Sequence, residues 1–438
     1  MRKTCNRTEN SLIMACMKGK TIKALRLLDR LGLYINEIDK KGYTAFMWAC
    51  KNNMLTVALR MLERPDLNVN QVNKYGETAL FLTCRNNMLT ILSKLLERHD
   101  INVNQVDKYC DTALIWACYN KMDSVVMKLL DSPDINVNYV NPYGRKAFWG
   151  ACKNEMVSVV MKLYDRPDFN DGWLEIFKIE SLALKVIEKS GIDFNQVDRS
   201  GSTPLIFACS FKKELVALRL LDILDINVNQ VDLDGYTALT YACFNKMDSV
   251  VMKLLDRLDI NVNQVNEYGE TALTYACCRK MEAVSLRLLD RHDINVNQVN
   301  RSGDTALTLA CRYEMESVAM KLLDRPDINV NQVDQNGDTI LIITCYNYMD
   351  TVAMKLLKRP DLNVNQVSKF GDTALISACK RKIEAVALKI LERPITTICY
   401  VDAFKKSAIN YVIENEMVSV YLIIAEMTQR ELFEEVFM

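Results

Sequence analysis

The stretch that decides the fold spans residues 100–130 and reads D-I-N-V-N-Q-V-D-K-Y-C-D-T-A-L-I-W-A-C-Y-N-K-M-D-S-V-V-M-K-L-L. Closely similar words recur along the chain, and the glycine of the word G-D-T-A-L marks the phase of each copy. This position recurs every 34 residues, with one longer step between Gly144 and Gly201. Such self-similarity at a fixed period indicates stacked repeats. The position is occupied by Gly42, Gly76, Cys110, Gly144, Gly201, Gly235, Gly269, Gly303, Gly337 and Gly371.

Each copy changes its hydrophobic periodicity once. The segment I-N-V-N-Q-V alternates apolar and polar residues and runs into a turn before the marker glycine, which predicts a β-hairpin finger. A threonine two places after the glycine precedes an apolar stretch, as a helix-capping residue does. A second amphipathic stretch, M-D-S-V-V-M-K-L-L-D in residues 122–131, predicts a second helix. The expected capping residues are Thr44, Thr78, Thr112, Thr203, Thr237, Thr271, Thr305, Thr339 and Thr373.

These words resemble the ankyrin repeat, whose signature T-P-L-H-x-A is matched here by T-A-L-I-W-A and T-A-L-T-Y-A. The proline of the signature survives only at Pro204, and the turn between the helices has methionine, as at Met122, where the family has histidine. The resemblance implies an all-α fold with short β-hairpin fingers. We expect an ankyrin-repeat solenoid of about 12–13 repeats.

The repeat phase predicts the domain boundaries. Residues 1–33 form an N-terminal capping repeat, residues 34–170 and 201–400 form regular repeats, and residues 401–438 form a C-terminal capping repeat with a short extra helix over 431–438. Residues 171–200 hold a truncated repeat, since the step from Gly144 to Gly201 is shorter than two periods. One interpretation is a tolerated deletion filled by Trp173, Ile176 and Phe177. The other is a kink or hinge.

Composition narrows the class of partner and the compartment. Lys plus Arg and Asp plus Glu both number 55 and alternate within each repeat, so the sequence predicts neither a nucleic-acid nor a membrane partner. Eleven of the 15 cysteines share one repeat position. Helices in neighbouring repeats should stand about 8–10 Å apart, which is too far for a disulfide. We therefore expect reduced, buried thiols and a cytoplasmic location.

No arrangement of residues predicts catalysis. His99 and His292 occupy the loop position where most copies have proline, and no phosphate-binding loop, Ser/His/Asp set or zinc motif is present. The recurring Asp and Asn residues have identical phase, which indicates turns and caps. We expect no enzyme activity, no metal and no cofactor.

Two positions of the first helix vary between copies while their neighbours remain alanine and cysteine. One lies two places after the T-A-L leucine and the other follows the cysteine. In ankyrin proteins, similar positions face a concave groove beside the fingertips. Aromatic and arginine side chains on such a face are typical of binding hot spots; the alternative for any single ring is packing on the neighbouring repeat. The predicted partner-binding residues are Trp48, Lys51, Arg85, Trp116, Tyr119, Phe207, Tyr241, Phe244, Tyr275, Arg312, Tyr346 and Lys380.

The leading hypothesis is a monomeric, non-enzymatic scaffold that binds a protein partner in this groove. The similarity between copies resembles the expanded ankyrin families of large DNA viruses and intracellular microbes, which implies a host protein as partner. One alternative is a structural or elastic spacer, which predicts uniform surfaces. Another is an adaptor that recruits substrates to a ubiquitin ligase.

Overall fold

The structure, a computed structural model, describes residues 6–30, 32–169, 172–188 and 192–437, with side chains described from Leu12 to Gln429 within those ranges. Parts of the predicted N-terminal cap and of the truncated repeat, among them residues 1–5 and 189–191, lie outside the described residues. The chain forms two compact units, residues 1–192 and residues 193–438.

Helices arranged in consecutive pairs build both units. In unit 1 they are α1 Asn6–Met17, α2 Thr21–Leu28, α3 Ala45–Lys51, α4 Leu55–Leu62, α5 Ala79–Arg85, α6 Leu89–Leu96, α7 Ala113–Tyr119, α8 Asp123–Leu129, α9 Ala147–Lys153, α10 Val157–Tyr164, α11 Leu174–Lys178 and α12 Glu180–Ile187. In unit 2 they are α13 Pro204–Ser210, α14 Glu214–Leu220, α15 Ala238–Phe244, α16 Asp248–Leu255, α17 Ala272–Cys278, α18 Glu282–Leu289, α19 Ala306–Arg312, α20 Glu316–Leu323, α21 Ile340–Tyr346, α22 Asp350–Leu356, α23 Ala374–Lys380, α24 Glu384–Leu391, α25 Ala408–Glu414 and α26 Val418–Phe437. The predicted repeat architecture is confirmed.

The threonine caps form as predicted, with one exception. Thr112, for example, accepts a hydrogen bond from the backbone N–H of Ile115 over 3.2 Å, which satisfies one of the free N–H groups at the start of α7. The other predicted threonines do the same except Thr339, which stands at the N-cap of α21 without a side-chain cap bond. That one prediction of a capping bond is wrong.

The predicted finger is a minimal hairpin. Val106 and Thr112 form an isolated antiparallel bridge, and Asp107 Oδ1 accepts the backbone N–H groups of Tyr109 and Asp111 over 2.9 and 3.0 Å. The marker glycines have positive φ, as does Cys110 at +60°. Within the described ranges, strand pairing is limited to such single bridges. The hydrogen bonds of the aspartate side chain therefore stabilise the turn in place of a longer hairpin ladder.

The inner faces of the helix pairs form a continuous apolar core within each unit. In α7 the buried residues are Ala113, Leu114, Ile115, Ala117 and Cys118. All eleven in-phase cysteines are buried: Cys16, Cys50, Cys84, Cys118, Cys152, Cys209, Cys243, Cys277, Cys311, Cys345 and Cys379. They pack as small apolar side chains, as the sequence predicted.

Polar bonds between neighbouring repeats fix the register of the stack. The Asn104 side chain donates to the Asp134 carbonyl over 2.7 Å and accepts the N–H of Asn136 over 2.8 Å. Asn154, at the end of α9, donates to the carbonyl oxygens of Cys118 and Tyr119 in the preceding repeat. The D-I-N-V-N word therefore recurs because it binds one repeat to the next.

The truncated repeat and the C-terminal helix differ from the regular repeats. Helix α11 has five residues where most first helices have seven, and Trp173, Ile176 and Phe177 are buried. The short extra helix predicted over residues 431–438 is not separate, because α26 continues without a break from Val418 to Phe437.

Candidate partner-binding face

The side chains at the two variable positions of the first helices, together with the fingertips, make up what we call the finger face. Of the twelve predicted binding residues, Lys51, Arg85 and Phe244 are exposed. Half-buried side chains are those of Trp48, Trp116, Tyr119, Tyr241, Arg312, Tyr346 and Lys380.

Phe207 and Tyr275 are the exceptions, with only 5% and 8% of their surface exposed. The Phe207 ring lies 4.4 Å from that of Phe211. The Tyr275 hydroxyl hydrogen-bonds to Tyr236 over 3.0 Å and accepts from Asn266 over 2.9 Å. These two rings pack inside unit 2, and this correction removes them from the candidate binding surface.

The aromatic residues of the first regular repeat are held in place by neighbours in the same repeat. Trp48 Nε1 donates to Asp39 over 2.9 Å, and the Trp48 ring stacks on Tyr43 at 4.7 Å. The Lys51 ammonium lies 4.7 Å from the Tyr43 ring and 4.8 Å from the Trp48 ring. Cation–π contacts of this kind fix both partners, so the exposed edge of this cluster is ordered before any ligand arrives.

A row of buried carboxylates lies beneath the finger face, and sequence reasoning missed it. Glu77 is buried, accepts from Asn73 over 2.9 Å and pairs with Arg85. Asp111 is also buried; it accepts from Asn141 over 2.6 Å and pairs with Arg145 at 3.0 Å. Buried charges require such partners, so several predicted binding residues are also counter-ions.

Buried carboxylates paired with basic side chains also occur in unit 2. Arg312 Nη2 lies 2.9 Å from Asp304 and 2.7 Å from Asp334, and Lys380 Nζ lies 2.8 Å from Asp402 and also pairs with Asp372. Burial lowers the pKa of Lys380, but its hydrogen bonds to the two carboxylates outweigh that effect and the pKa stands above its usual value.

Two tyrosines on the finger face also donate hydrogen bonds to carboxylates. Burial, followed by a hydrogen bond to Asp372, raises the pKa of Tyr346 to about 12, and Tyr241 donates its hydroxyl to Asp232 over 3.0 Å. The sequence signal for Glu77, Asp111, Asp304 and Asp372 was available in the residue that follows the marker position. That position varies as strongly as the two positions we selected, and it holds Tyr43, Glu77, Asp111, Arg145, Ser202, Tyr236, Glu270, Asp304, Asp338, Asp372 and Lys406.

In the part of the chain that the structure describes, no group of three or more His, Cys, Asp or Glu side chains is placed to hold a metal ion. None of the described helices combines the length and apolar character needed to cross a membrane.

Comparison with protein families identifies the repeat. A family model described as ankyrin repeats matches three times, over residues 57–141, 178–266 and 249–334, which together cover more than half of the chain. A comparison with curated proteins found no match. The family is made of protein-interaction modules that are typically non-enzymatic, and the helix pairs, fingers and repeat period all agree with it. The chain belongs to the ankyrin repeat family.

Proposed function

We propose that this protein is a non-enzymatic scaffold that holds an extended or helical segment of a partner protein against the finger face. One observation carries the proposal. Ten aromatic and basic side chains at the two variable positions remain at least partly exposed, while the alanine and cysteine positions beside them are buried. A position that served packing alone would be as uniform as its neighbours.

The arrangement suits binding because the side chains are already ordered. Lys51 is fixed over Tyr43 and Trp48, and the Arg279 guanidinium lies 4.2 Å from the Phe244 ring. Association costs free energy for each side chain that it immobilises, about 0.5–1.5 kcal/mol per flexible side chain. Because these side chains are already held by their neighbours in the free protein, binding a partner immobilises them at a smaller cost in free energy.

The proposal includes the setting of the interaction. We propose that the protein acts as a monomer in the cytoplasm and that its partner is a host protein. The buried free cysteines support a reducing compartment, and the similarity between copies supports the host assignment. The repeat boundaries at residues 34, 171, 201 and 401 stay predictions.

A groove variant tests the proposal. Replacing Trp116, Tyr119, Tyr241 and Phe244 together with alanine should reduce partner capture by about tenfold or more, because such residues dominate interface energies. Capture is measured by affinity purification and mass spectrometry, with circular dichroism to show that the fold is retained. The matched control replaces Leu224 and Leu258, which are 95% and 98% exposed in loops after second helices.

The outcomes separate two functions. The scaffold is supported if the groove variant loses the partners that the wild type and the Leu224/Leu258 control both capture. If both variants capture the same proteins as the wild type, or if no stoichiometric partner is found, the scaffold proposal fails and a structural spacer becomes the better interpretation.

A further inference from the structure

Neighbouring fingertips are tied together by backbone hydrogen bonds. In unit 1, the N–H of Lys74 donates to the Lys41 carbonyl over 3.0 Å, and that of Lys108 donates to the Tyr75 carbonyl over 2.7 Å. The same bond joins successive tips in unit 2, with Leu233, Glu267, Arg301, Gln335, Lys369 and Ala403 as donors. The fingertips thus form a closed row wherever this bond is present.

Two substitutions prevent that closure after the Lys108–Tyr109 tip. The donor position of the next tip is Pro142, which has no backbone N–H to donate. In the finger that carries the Lys108–Tyr109 tip, the marker glycine is replaced by Cys110. A β-carbon on Gly76, the equivalent residue one repeat earlier, would lie 2.8 Å from the Asp107 Cα of the following finger. Because Cys110 does carry a β-carbon, the following finger cannot approach as closely.

A third substitution makes room below the same gap. Gly150 occupies the variable position that holds Trp48 and Trp116 in other repeats. A β-carbon at Gly150 would lie 2.6 Å from Cδ2 of Tyr119. Only glycine therefore allows the Tyr119 ring to settle over α9.

A pocket of about 670 Å³ lies beside the three substitutions: Tyr109 and Asp111 flank Cys110, Tyr143 follows Pro142, and Tyr119 lies against Gly150. Trp116, Asn120 and Arg145 complete its lining. Tyr109 and Tyr143 stand at the opening and are 55% and 74% exposed. This volume lies within the range of protein sites that take small ligands or single side chains.

Two exposed lysines lie over the tyrosines of the neighbouring fingertips. Lys108 Nζ lies 4.6 Å from the Tyr109 ring and 5.4 Å from the Tyr75 ring, and Lys74 lies 4.9 Å from the Tyr75 ring. The Arg145 guanidinium is 4.9 Å from the Tyr119 ring. The carboxylate of Asp111 is buried and paired with Arg145 and Asn141. Asp107, next to Lys108, is half-buried and its Oδ1 accepts the N–H groups of Tyr109 and Asp111. In the described part of the chain, neither carboxylate forms an ion pair with the two lysines.

We propose that this pocket selects an acidic segment of a partner protein, which inserts one aromatic or large apolar side chain between Tyr109 and Tyr143 and places its carboxylates near Lys74 and Lys108. Charge complementarity identifies the segment as acidic, and the aromatic walls identify the inserted side chain. The inference rests on the proposed function and specifies its partner and its position along the chain.

The test is a selection from displayed random peptides of about twelve residues on the full-length protein, the length of a segment that spans a few fingertips. We expect enrichment of acidic residues around a central aromatic or large apolar residue. The affinity of the selected synthetic peptide, measured by fluorescence polarisation, should fall as sodium chloride is raised, because the lysines are solvent-exposed.

Three variants locate the peptide. The double variant Cys110→Gly and Pro142→Lys restores the residues of closed repeats and should weaken binding about tenfold without loss of stability. Tyr143→Ala should weaken binding by a similar factor. Tyr268→Ala, at the same fingertip position in unit 2, should leave the affinity within about twofold, because hot-spot effects are local.

Several results would overturn the inference. They are an enriched motif without acidic residues, no enriched peptide at all, full affinity in the double variant, or displacement of the peptide by an equal concentration of oligothymidylate. If Tyr241→Ala and Phe244→Ala abolish peptide binding while Tyr143→Ala does not, the scaffold stands and this pocket assignment fails. The scaffold itself is tested separately, by partner capture with the four-residue groove variant.

Discussion

The backbone N–H of Asn295 donates to Oδ1 of Asn263 over 2.8 Å, across the boundary between two repeats. Asn263 completes the pair by donating its own side-chain amide to the carbonyl of Asp293 over 2.6 Å. One asparagine therefore satisfies two backbone groups of the following repeat. Its counterparts Asn36, Asn70, Asn104, Asn229, Asn297 and Asn331 make the same two bonds.

Replacing Asn263 with alanine should destabilise the protein by about 1–2 kcal/mol, because two hydrogen bonds are lost and each contributes roughly 0.5–1.5 kcal/mol. Urea unfolding followed by circular dichroism measures the change. The control is Gln264→Ala, since Gln264 donates only to the carbonyl of its own neighbour Val265. Equal midpoints for the two variants would show that the asparagine bonds do not hold the repeats together.

The turn between the two helices of a repeat contains a residue with positive φ. Gly19 occupies this position near the N-terminus, but Glu314 holds it in unit 2 with φ of +58°. Glu314→Gly should stabilise the protein by about 0.5–1 kcal/mol, because glycine adopts this conformation without a steric penalty. Asn87→Gly is the control. Asparagine tolerates the left-handed region, so its replacement should change the urea midpoint less.

The sequence predicted the fold because the bonds that define it are repeated. Each finger turn is closed by a bond within a few residues, such as that from the Asp111 N–H to Asp107. Each asparagine bond between repeats reaches only the next copy, such as that between Asn104 and Asn136. A period and its capping threonines are enough to anticipate both. Thr339 is in the capping position but makes no capping bond, so even here the individual bond could not be read from the period.

The candidate site was less predictable because exposure depends on residues from other repeats. Tyr275 occupies the same helix position as Tyr241, yet Tyr236 and Phe244 of the preceding repeat cover it. Likewise, Arg312 is partly drawn inward by Asp334 of the next finger. The pocket beside Tyr143 lies next to Cys110, Pro142 and Gly150. The sequence shows that each of these positions departs from the repeat pattern, but it does not show that they border the same pocket.

Buried thiols should react slowly. Burial raises the pKa of Cys50 to about 12, so almost none of its reactive thiolate form is present at pH 8. Cys399 is exposed. We expect Cys399→Ser to remove one rapidly reacting thiol in a titration with a chromogenic disulfide reagent, whereas Cys50→Ala leaves the rapid phase unchanged. The buried thiols should react only when urea unfolds the chain; rapid reaction of all cysteines in buffer would contradict the packing.

Asp338 should make stability depend on pH. Burial, followed by the nearby carboxylates of Asp334 and Asp372, raises the pKa of Asp338 to about 6, against the opposing effect of Arg312. A carboxyl with a raised folded-state pKa favours folding when protonated, so its contribution is lost as the pH rises through about 6. Asp338→Asn should therefore be more stable than the wild type at pH 8, by about 1–2 kcal/mol after allowance for solvent screening.

The difference between Asp338→Asn and the wild type should shrink as the pH falls towards 4, and urea midpoints across this range measure it. Asp361→Asn provides a contrast of opposite sign. A hydrogen bond from Arg359 lowers the pKa of Asp361, so this substitution should remove stability at neutral pH and matter less in acid. Parallel pH profiles for the two variants would contradict the assignment.

The truncated repeat should be the first segment that a protease cuts. Helix α11 has five residues and no side-chain N-cap bond, whereas α7 has seven residues and the Thr112 cap. Local opening costs least where such bonds are fewest, so we expect the first cleavage between residues 168 and 189, mapped by mass spectrometry after brief trypsin treatment.

Trp173 is buried edge-on against Phe177 with 5.6 Å between the ring centroids, and Trp173→Ala should speed this cut about tenfold or more. Trp149→Ala, at an exposed tryptophan, is the control and should leave the rate nearly unchanged. Cleavage spread evenly over the fingers would show that this repeat is no weaker than the others.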